Sequence, residues 1–293
     1  MTCGECVARM VRRLVAAGRP EDDSRRDAVV LARWRLGWTA AQWLARASNE
    51  APAGFEADLA PFIDRRARGE PVAYITGERE FFGRAFRVTP DVLIPRPETE
   101  LVVEDALARL ESSGTGAADR ARPVIVDVGT GSGCLAVTLA LERPAARVVA
   151  TDISDAALDV ARDNARRLGA ERIEFRPGSL LAGVGTPVDL IVSNPPYVAT
   201  ADRASLPVDV VSYEPASALF GGDDGLDVMR GLVPTAAAAL RPGGWLVMEI
   251  GLGQAVAVER LLEAGGGWTS IRIRPDLQQI PRVVAARKRA PDG

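Results

Sequence analysis

Apolar positions in the first 70 residues repeat at helical spacing. In one segment, for example, Ala28, Leu31 and Ala32 fall on a single helix face. One predicted helix begins at Ser24–Asp27 and ends at Gly37. A second begins at a Thr39–Gln42 capping box. A third runs from Phe55 to Arg68 and is ended by Gly69. Residues 1–70 are therefore predicted to form a small helical domain for recognition or scaffolding, since no pattern in them suggests chemistry.

A different pattern covers residues 71–97, where short β-type runs alternate with turn residues. The runs are Val72–Ile75, Phe81–Gly83 and Phe86–Val88. They predict a β-hairpin that links two domains. Pro97, followed by Glu98 and Glu100, is typical of a helix N-terminus, because proline suits the first turn and acids favour the positive end of the helix dipole.

From Pro123 onward, strongly apolar runs alternate with helical segments. In chain order the predicted strands are Val124–Val128, Arg147–Ala150, Ile173–Phe175 and Asp189–Val192. Parallel strands need crossover helices, so this alternation predicts an α/β domain over residues 98–293. We expect a doubly wound, mostly parallel sheet with helices on both faces.

Composition narrows the possible partners and the compartment. The chain has 293 residues and a formal net charge of −3, which gives no overall attraction to nucleic acid. No stretch approaches the ~20 apolar residues of a membrane span, and the N-terminus lacks the apolar core of a signal peptide. We therefore expect a cytoplasmic protein without membrane contact or stable nucleic-acid binding.

Missing residue types exclude several kinds of chemistry. The sequence contains no histidine, which removes histidine bases, Ser-His-Asp triads and most zinc sites. Cys3 and Cys6 form a CxxC pair without a second pair, so no metal site is expected. Lys288 is the only lysine and lies near the C-terminus, which argues against a phosphate-binding or Schiff-base lysine.

A glycine loop follows the first strand of the α/β domain. It reads Gly129, Thr130, Gly131, Ser132, Gly133, and its glycines let backbone N–H groups approach a ligand closely. Asp152 ends the second strand about 20 residues later, where an acid can hold ribose hydroxyls. The spacing is GxGxG rather than the dinucleotide GxGxxG, and a single ribose with an amino-acid carboxylate fits S-adenosylmethionine better than NAD.

Asn194, Pro195, Pro196 and Tyr197 form a tip at the end of the apolar run Val188–Val192. Adjacent prolines end a strand, since neither donates to a sheet ladder, and they hold Asn194 extended. The Asn194 amide oxygen and the Pro195 carbonyl are then two fixed acceptors for the protons of one –NH2 group, and Tyr197 can supply a flat wall. Taken alone, the tip is equally consistent with a plain strand-ending turn.

The sheet topology brings these two motifs together. In a doubly wound sheet, ligands bind beyond the strand carboxyl ends, at the switch point beside the first strand. The fourth strand is the expected neighbour of the first strand there. The glycine loop and the Asn194–Tyr197 tip are therefore predicted to face each other across one cleft.

The motifs resemble a known family. The glycine loop with Asp152 is similar to class I S-adenosylmethionine-dependent methyltransferases, and the Asn-Pro-Pro-Tyr tip is similar to enzymes that methylate planar-bound nitrogen. Over most of its length, the chain resembles one family most specifically, the release factor glutamine methyltransferases. The stretches that carry this resemblance are Glu70–Gly77, Ile94–Glu100, Tyr213–Pro215, Gly221–Gly225 and Glu249–Gly251.

The resemblance implies a seven-stranded methyltransferase sheet and a substrate, the glutamine in the GGQ motif of peptide chain release factors. It implies that Gly129–Gly133 and Asp152 bind the cofactor, and that the Asn194–Tyr197 tip holds the glutamine amide, with Asn194 and Pro195 as its catalytic acceptors and Asn194 also near the cofactor. Leu180 falls beside the adenine. There the family often has an acid and an aromatic residue, whereas this chain has Ser179-Leu180.

Other functions stay open at this point. An adenine amino-methyltransferase of DNA or RNA uses a similar tip, although the net charge of −3 disfavours it. A glutamine methyltransferase of a large-subunit ribosomal protein is a second alternative, and the Pro95–Glu100 stretch separates the chain from it. A non-catalytic RNA-binding module is a third, suggested by the arginine-rich N-terminal region.

Overall fold

The computed structural model describes residues 1–112, 122–185 and 187–290. Its helices are α1 Cys3–Ala16, α2 Glu21–Leu36, α3 Ala40–Arg46, α4 Phe55–Ala67, α5 Val72–Thr76, α6 Glu100–Ser112, α7 Cys134–Glu142, α8 Asp155–Leu168, α9 Val208–Tyr213, α10 Ala216–Leu219, α11 Asp227–Ala239 and α12 Ala255–Ala264. Its strands are β1 Glu78–Phe81, β2 Arg84–Arg87, β3 Val124–Val128, β4 Arg147–Asp152, β5 Glu174–Pro177, β6 Val188–Ser193, β7 Leu240–Glu249, β8 Trp268–Pro275 and β9 Pro281–Lys288. No helix of the described ranges is both long and apolar enough to cross a bilayer.

Two units make up the chain, and the first combines Met1–Glu78 with Pro207–Tyr213. Helices α1 to α5 surround its core of buried apolar side chains, among them Met10, Leu31 and Leu59. Helix α1, which the sequence analysis did not single out, begins with a capping box between Thr2 and Glu5. The predicted end of α2 at Gly37 and the Thr39–Gln42 capping box of α3 are both confirmed.

Arg66 connects the two sequence segments of the first unit. Its side chain is buried and donates to Asp27 Oδ2 at 2.5 Å and to the carbonyl oxygens of Gly69 and Glu70. Asp209, on the downstream segment, lies 3.5 Å from the same guanidinium. A buried charge is tolerated only when it is paired in this way, so the unit depends on acids from both segments.

The prediction for Val72–Ile75 is wrong, because these residues form the short helix α5 rather than a strand. Tyr74 and Ile75 are buried, and Gly77 ends the helix with φ +75°. Tertiary packing has overridden the β propensity of valine, tyrosine and isoleucine. The hairpin itself exists as β1 and β2, joined by Phe82 and Gly83, which both have positive φ.

The second unit contains a sheet of seven strands, counted within the described residues, in the order β5-β4-β3-β6-β7-β9-β8. Strands β5, β4, β3, β6 and β7 are parallel, and β9 is antiparallel to both β7 and β8. The predicted α/β class, with a mostly parallel seven-stranded sheet, is confirmed. The four predicted strands correspond to β3, β4, β5 and β6.

Side chains alternate between two apolar cores on the faces of this sheet. Ile125 and Leu190 belong to the core that includes α6 and α7, whereas Val126 and Ile191 belong to the core that includes α11 and α12. Because these strands are covered on both faces, nearly all their residues are apolar, and such continuous apolar runs are what predicted the strands from the sequence.

Register sets the position of the candidate site. Val128 at the end of β3 is paired with Thr151 on β4 and with Ser193 on β6. The segments that follow these three residues therefore leave the sheet side by side, at one edge.

Candidate active site

A cavity of about 390 Å³ lies where these segments meet, and ligand pockets usually measure about 300–1,000 Å³. Of the predicted site residues, its lining includes Gly129, Thr130, Gly131, Ser132, Asp152, Leu180, Asn194, Pro195 and Pro196. Gly133 and Tyr197 are not in the lining. The prediction that the glycine loop and the tip share one cleft is confirmed.

The glycine loop folds back onto strand β4. The N–H groups of Gly129 and Thr130 both donate to Thr151 O at 2.9 Å. Gly129 and Gly131 have positive φ, and a Cβ on either would meet nothing within 4 Å, so both face open space. Gly133 differs, because its Cβ would come within 3.1 Å of Ala161 Cβ. Its role is close packing of the loop against α8.

Asp152 is held by backbone donors and retains free acceptor sites. Its Oδ2 accepts from Gly131 N and its Oδ1 from Ser154 N, both at 2.9 Å. An ionised carboxylate offers about four lone-pair sites, so about two remain for a ligand. Asp152 also lines the cavity. These residues fit a ligand with two adjacent hydroxyls, as a ribose has.

Leu180 adopts an unusual backbone conformation beside the cavity. Its φ is +54°, which strains a residue with a Cβ. A hydrogen bond of 2.7 Å from Thr151 Oγ1 to Leu180 O holds the backbone in this conformation. Ile153, which the sequence analysis missed, also lines the cavity although the residue is 68% exposed. Its position directly after Asp152 was the signal available for it in the sequence.

The Asn194 amide has one end occupied and the other free. Its Nδ2 donates to Thr99 Oγ1 at 3.0 Å. Among the described residues, Asn194 Oδ1 and Pro195 O accept no hydrogen bond. Both residues line the cavity. That their oxygens accept the protons of an –NH2 group stays a prediction.

Behind the tip lies a buried polar network that the sequence analysis missed. Thr99 Oγ1 donates to Glu249 Oε2 at 2.6 Å, and the Tyr197 hydroxyl donates to Glu249 Oε1 at 3.0 Å. Thr99 and Glu249 are each 1% exposed. Burial raises the pKa of Tyr197, so its hydroxyl stays protonated as a donor. That the Tyr197 ring also contacts a substrate stays a prediction.

A second loop supports the tip from the side. A Cβ on Gly221 would overlap Pro196 O, and a Cβ on Gly225 would overlap Tyr197 O. Gln254 Nε2 donates to the same Tyr197 O at 2.9 Å, and Gln254 Oε1 accepts from Gly251 N at 2.8 Å. The glycines thus allow backbone to pack directly on backbone.

The segment that carries Thr99 is anchored by a buried carboxylate. Glu214 accepts from Ile94 N at 3.1 Å and from Arg96 at 2.5 Å. The Glu214 side chain is 1% exposed, and its charge is balanced by Arg96. Glu214 therefore holds the Ile94–Glu100 stretch beside the cavity.

Asp127 is a buried acid beneath the glycine loop. Its Oδ2 accepts from Thr130 Oγ1 at 2.7 Å and from Ala136 N at 3.1 Å, whereas its Oδ1 has no partner among the described residues. Burial raises the pKa of Asp127 to about 7, against the lowering effect of these two hydrogen bonds.

Cys134 lines the cavity but is not a reactive thiol. Burial raises its pKa to about 12, so it remains protonated at neutral pH and is a poor nucleophile. Cys134 is instead a small packing residue against the apolar core. Cys3 and Cys6 are fully buried in the core of the first unit.

Two family models match the chain. The model described as methyltransferase small domain matches residues 115–213, and the one described as PrmC N-terminal domain matches residues 5–77. Together they cover parts of both units.

Curated relatives align over almost the whole chain. A release factor glutamine methyltransferase of Moorella thermoacetica is 45% identical over 293 residues, which is 99% of both chains. One of Koribacter versatilis is 41% identical over 290 residues, 98% of this chain and 99% of the relative. One of Cereibacter sphaeroides is 45% identical with the same coverage.

Solved structures with low sequence identity share the fold. The catalytic domain of hMettl16, in complex with MAT2A 3′UTR hairpin 1, has a TM-score of 0.57 at 13% identity and covers 90% of this chain and 95% of that one. A methyltransferase from Pyrococcus furiosus has a TM-score of 0.50 at 18% identity, with 78% of this chain and 98% of that one covered. These similarities concern the fold alone.

The glycine-containing loop at the side of the tip, which includes Gly221 and Gly225, gives a first prediction. Gly225→Ala is expected to lower the free energy of unfolding by more than about 2 kcal/mol, because left-handed φ costs alanine about 1–2 kcal/mol and the new Cβ overlaps Tyr197 O. Gly253→Ala is the matched control, since Gly253 has φ +81° with nothing within 4 Å of its Cβ position. Urea unfolding measures both. Equal losses would contradict the packing role of Gly225.

The raised pKa of Asp127 gives a second prediction. The protonated form is favoured in the fold, so the stability linked to this group is fully present below about pH 4 and is lost as pH rises through about 7. Asp127→Asn removes this dependence. We expect the variant to gain about 2–3 kcal/mol relative to the natural chain between about pH 5 and pH 8. Urea unfolding of both proteins at pH 5 and pH 8 measures this gain. If the difference in free energy of unfolding between the two proteins were the same at both pH values, the raised pKa of Asp127 would be contradicted.

Proposed function

This chain belongs to the family of release factor glutamine methyltransferases, and on that premise we propose that it methylates the glutamine in the GGQ motif of peptide chain release factors. The methyl donor is S-adenosylmethionine, and the acceptor is the side-chain amide nitrogen. The observation that carries the proposal is the orientation of Asn194, whose Nδ2 is bound to Thr99. Asn194 lines the cavity and its Oδ1 accepts no hydrogen bond from the described residues, so this oxygen remains as an acceptor for –NH2.

The substrate site consists of Asn194, Pro195, Pro196 and Tyr197. Asn194 Oδ1 and Pro195 O accept the two protons of the glutamine –NH2 group, since a neutral amide nitrogen donates two hydrogen bonds. Pro196 and Tyr197 contact the flat amide plane. The fixed prolines keep the two acceptors in one geometry before the substrate arrives.

The cofactor site consists of the glycine loop with Asp152, Leu180 and Asn194. Asp152 accepts from the two ribose hydroxyls, and Leu180 and Ile153 offer apolar surface to the adenine. The N–H groups of the loop and the start of α7 favour the carboxylate of the amino-acid moiety. Support for this assignment comes from the shared cavity and from the free acceptor sites of Asp152.

Positioning is the main catalytic contribution of the chain. S-adenosylmethionine, when bound, supplies a methyl group activated by its bond to a positively charged sulfur. An amide lone pair is delocalised and nucleophilic only when it is aimed, and orientation supplies up to about 7–11 kcal/mol of the barrier. With the glutamine nitrogen held by Asn194 Oδ1 and Pro195 O, the bound cofactor would supply its methyl carbon to that nitrogen, its sulfur would leave as a neutral thioether, and one N–H proton would pass to water. Asn194 Oδ1 and Pro195 O stabilise the positive charge that develops on nitrogen.

The first unit is proposed to recognise the release factor. Its role is supported by exposed apolar side chains on α2 and α3, where Val30 is 41%, Trp34 40% and Leu44 84% exposed. A protein partner that covered these side chains would remove their apolar surface from water. As sequence domains we propose residues 1–70 for recognition, 71–97 as the linker that contains the hairpin, and 98–293 for methyl transfer. The first unit extends beyond residues 1–70, since it also includes α5 and Pro207–Tyr213.

Because release factors act at the ribosome, we propose that the enzyme works in the cytoplasm and binds no nucleic acid stably. The formal net charge of −3 supports the second point. Incubation with labelled cofactor and either a release factor, a large-subunit ribosomal protein, DNA or RNA separates the proposed substrate from its alternatives. Label on a nucleic acid or on the ribosomal protein instead of the release factor would overturn the proposal.

Removal of the tip amide gives a third prediction. Asn194→Ala is expected to lower kcat by about 100- to 1,000-fold, as loss of one positioned hydrogen-bonding group does in other enzymes. Mass spectrometry of the release factor detects the product as one methyl group in place of one hydrogen on the GGQ glutamine. Calorimetric titration with S-adenosylmethionine is expected to show binding retained in part. Full activity of the variant would rule out Asn194 as the acceptor.

The recognition role gives a fourth prediction. Leu44→Ser is expected to raise KM for the intact release factor several-fold with kcat nearly unchanged, because the contact adds binding and not chemistry. Val256→Ser is the control, since Val256 is 59% exposed on α12 of the second unit. Steady-state kinetics of both variants measure KM and kcat, and only Leu44→Ser is expected to change KM. The same KM for Leu44→Ser and for the natural chain would argue against a contact there.

A further inference from the structure

Glu249 is a buried carboxylate whose partners are hydroxyl groups. It ends strand β7 with 1% exposure, and no arginine or lysine of the described residues forms an ion pair with it. Both of its oxygens are acceptors, Oε2 for Thr99 at 2.6 Å and Oε1 for Tyr197 at 3.0 Å. In its ionised form a carboxylate can only accept, so both hydroxyls then have to donate to it.

The hydrogen bonds run in one direction from this carboxylate to the cavity. A hydroxyl has a single proton, so Thr99 Oγ1, which donates to Glu249, has only acceptor capacity left. Asn194 Nδ2 donates to it at 3.0 Å. The two ends of an asparagine amide have nearly the same shape, and only a network of this kind decides which end faces a substrate.

We propose that Glu249 is the positioning residue that keeps Asn194 Oδ1, and not Nδ2, turned toward the substrate. This inference rests on the proposed function and deepens it. The charge on Glu249, passed on through the Thr99 hydroxyl, restricts the cleft to groups that donate N–H protons. The reaction therefore depends on an acid that touches neither the substrate nor the cofactor.

Neutralisation of Glu249 reverses the network. If Oε2 carries a proton, it donates to Thr99, and the Thr99 proton must turn to another acceptor. Rotation of the Asn194 amide supplies that acceptor, Oδ1, and turns Nδ2 toward the cavity. A donor then faces the –NH2 group of the substrate, which is repulsive.

Acid is expected to produce the same reversal. Burial raises the pKa of Glu249, and the hydrogen bonds from Thr99 and Tyr197 oppose this. The other titratable groups that face Glu249 are Glu98, Arg282 and the Cys134 thiol. Glu98 raises the pKa of Glu249 and Arg282 lowers it. Activity is therefore expected to fall as pH drops through the raised pKa of Glu249.

Substitution of Glu249 and Thr99 tests the proposal. Glu249→Gln keeps the shape but must place an N–H donor against one of the two hydroxyls. We expect kcat on the release factor to fall at least about 100-fold, with cofactor affinity nearly unchanged. Thr99→Val, which removes the relay hydroxyl, is expected to lose activity to a similar extent, and Thr99→Ser to recover most of it.

The control and the pH profile separate this role from a purely structural one. Thr138→Val deletes another fully buried hydroxyl, one without a partner among the described residues, and is expected to leave kcat as it is. The acid limb of the kcat profile is expected to vanish in the residual activity of Glu249→Gln. Glu249→Gln or Thr99→Val with kcat within about threefold of the natural chain would overturn the proposal.

A readout without turnover keeps this inference separate from the proposed function. If the natural chain does not methylate a release factor, the proposed function fails, whereas the network is still tested by NMR. The Asn194 side-chain NH2 signals, assigned by their loss in Asn194→Asp, are expected to be protected from solvent exchange in the natural chain and to shift in Glu249→Gln. Identical signals in both proteins would refute the role of Glu249.

Discussion

The register of three parallel strands is the constraint on which the site depends. Because Val128 pairs with both Thr151 and Ser193, the glycine loop, Asp152 and the Asn194–Tyr197 tip leave the sheet abreast. Each of these strands is buried on both faces, so the backbone hydrogen bonds cannot slip without exposing or burying the wrong groups. Apolar burial, which itself has no chemistry, thus fixes the distance between Asp152 and Asn194.

Polar groups next to this edge are held by other polar groups rather than by solvent. The glycine loop is bonded to Thr151 O, Asp152 to two backbone N–H groups, and Asn194 through Thr99 to Glu249. Groups satisfied in this way need little rearrangement when a ligand arrives, and preorganisation of this kind is the usual source of electrostatic catalysis. The site is consistent with a reaction that needs alignment and no general base from histidine.

Local signals in the sequence were enough to predict the α/β class, four strands of the sheet, ends of three helices and the two motifs of the cleft. Gly37 and the Thr39–Gln42 capping box could be read directly, because caps are determined by neighbouring residues. Helix α5 could not, since its β-type residues are packed by tertiary contacts. The Thr99–Glu249 bond joins residues 150 positions apart, and no local pattern encodes such a pair. An acid that ends an apolar strand was the one available hint.

The composition of the first unit has a consequence for synthesis of the chain. Residues 1–78 leave the ribosome first, yet the unit also contains Pro207–Tyr213, and Asp209 lies beside the buried guanidinium of Arg66. Until that segment has been translated, Arg66 has Asp27 as its carboxylate partner but not Asp209. The helical unit is therefore completed only after the glycine loop and the tip have emerged from the ribosome. Although most of this unit is translated first, its folding is finished no earlier than the synthesis of these two segments.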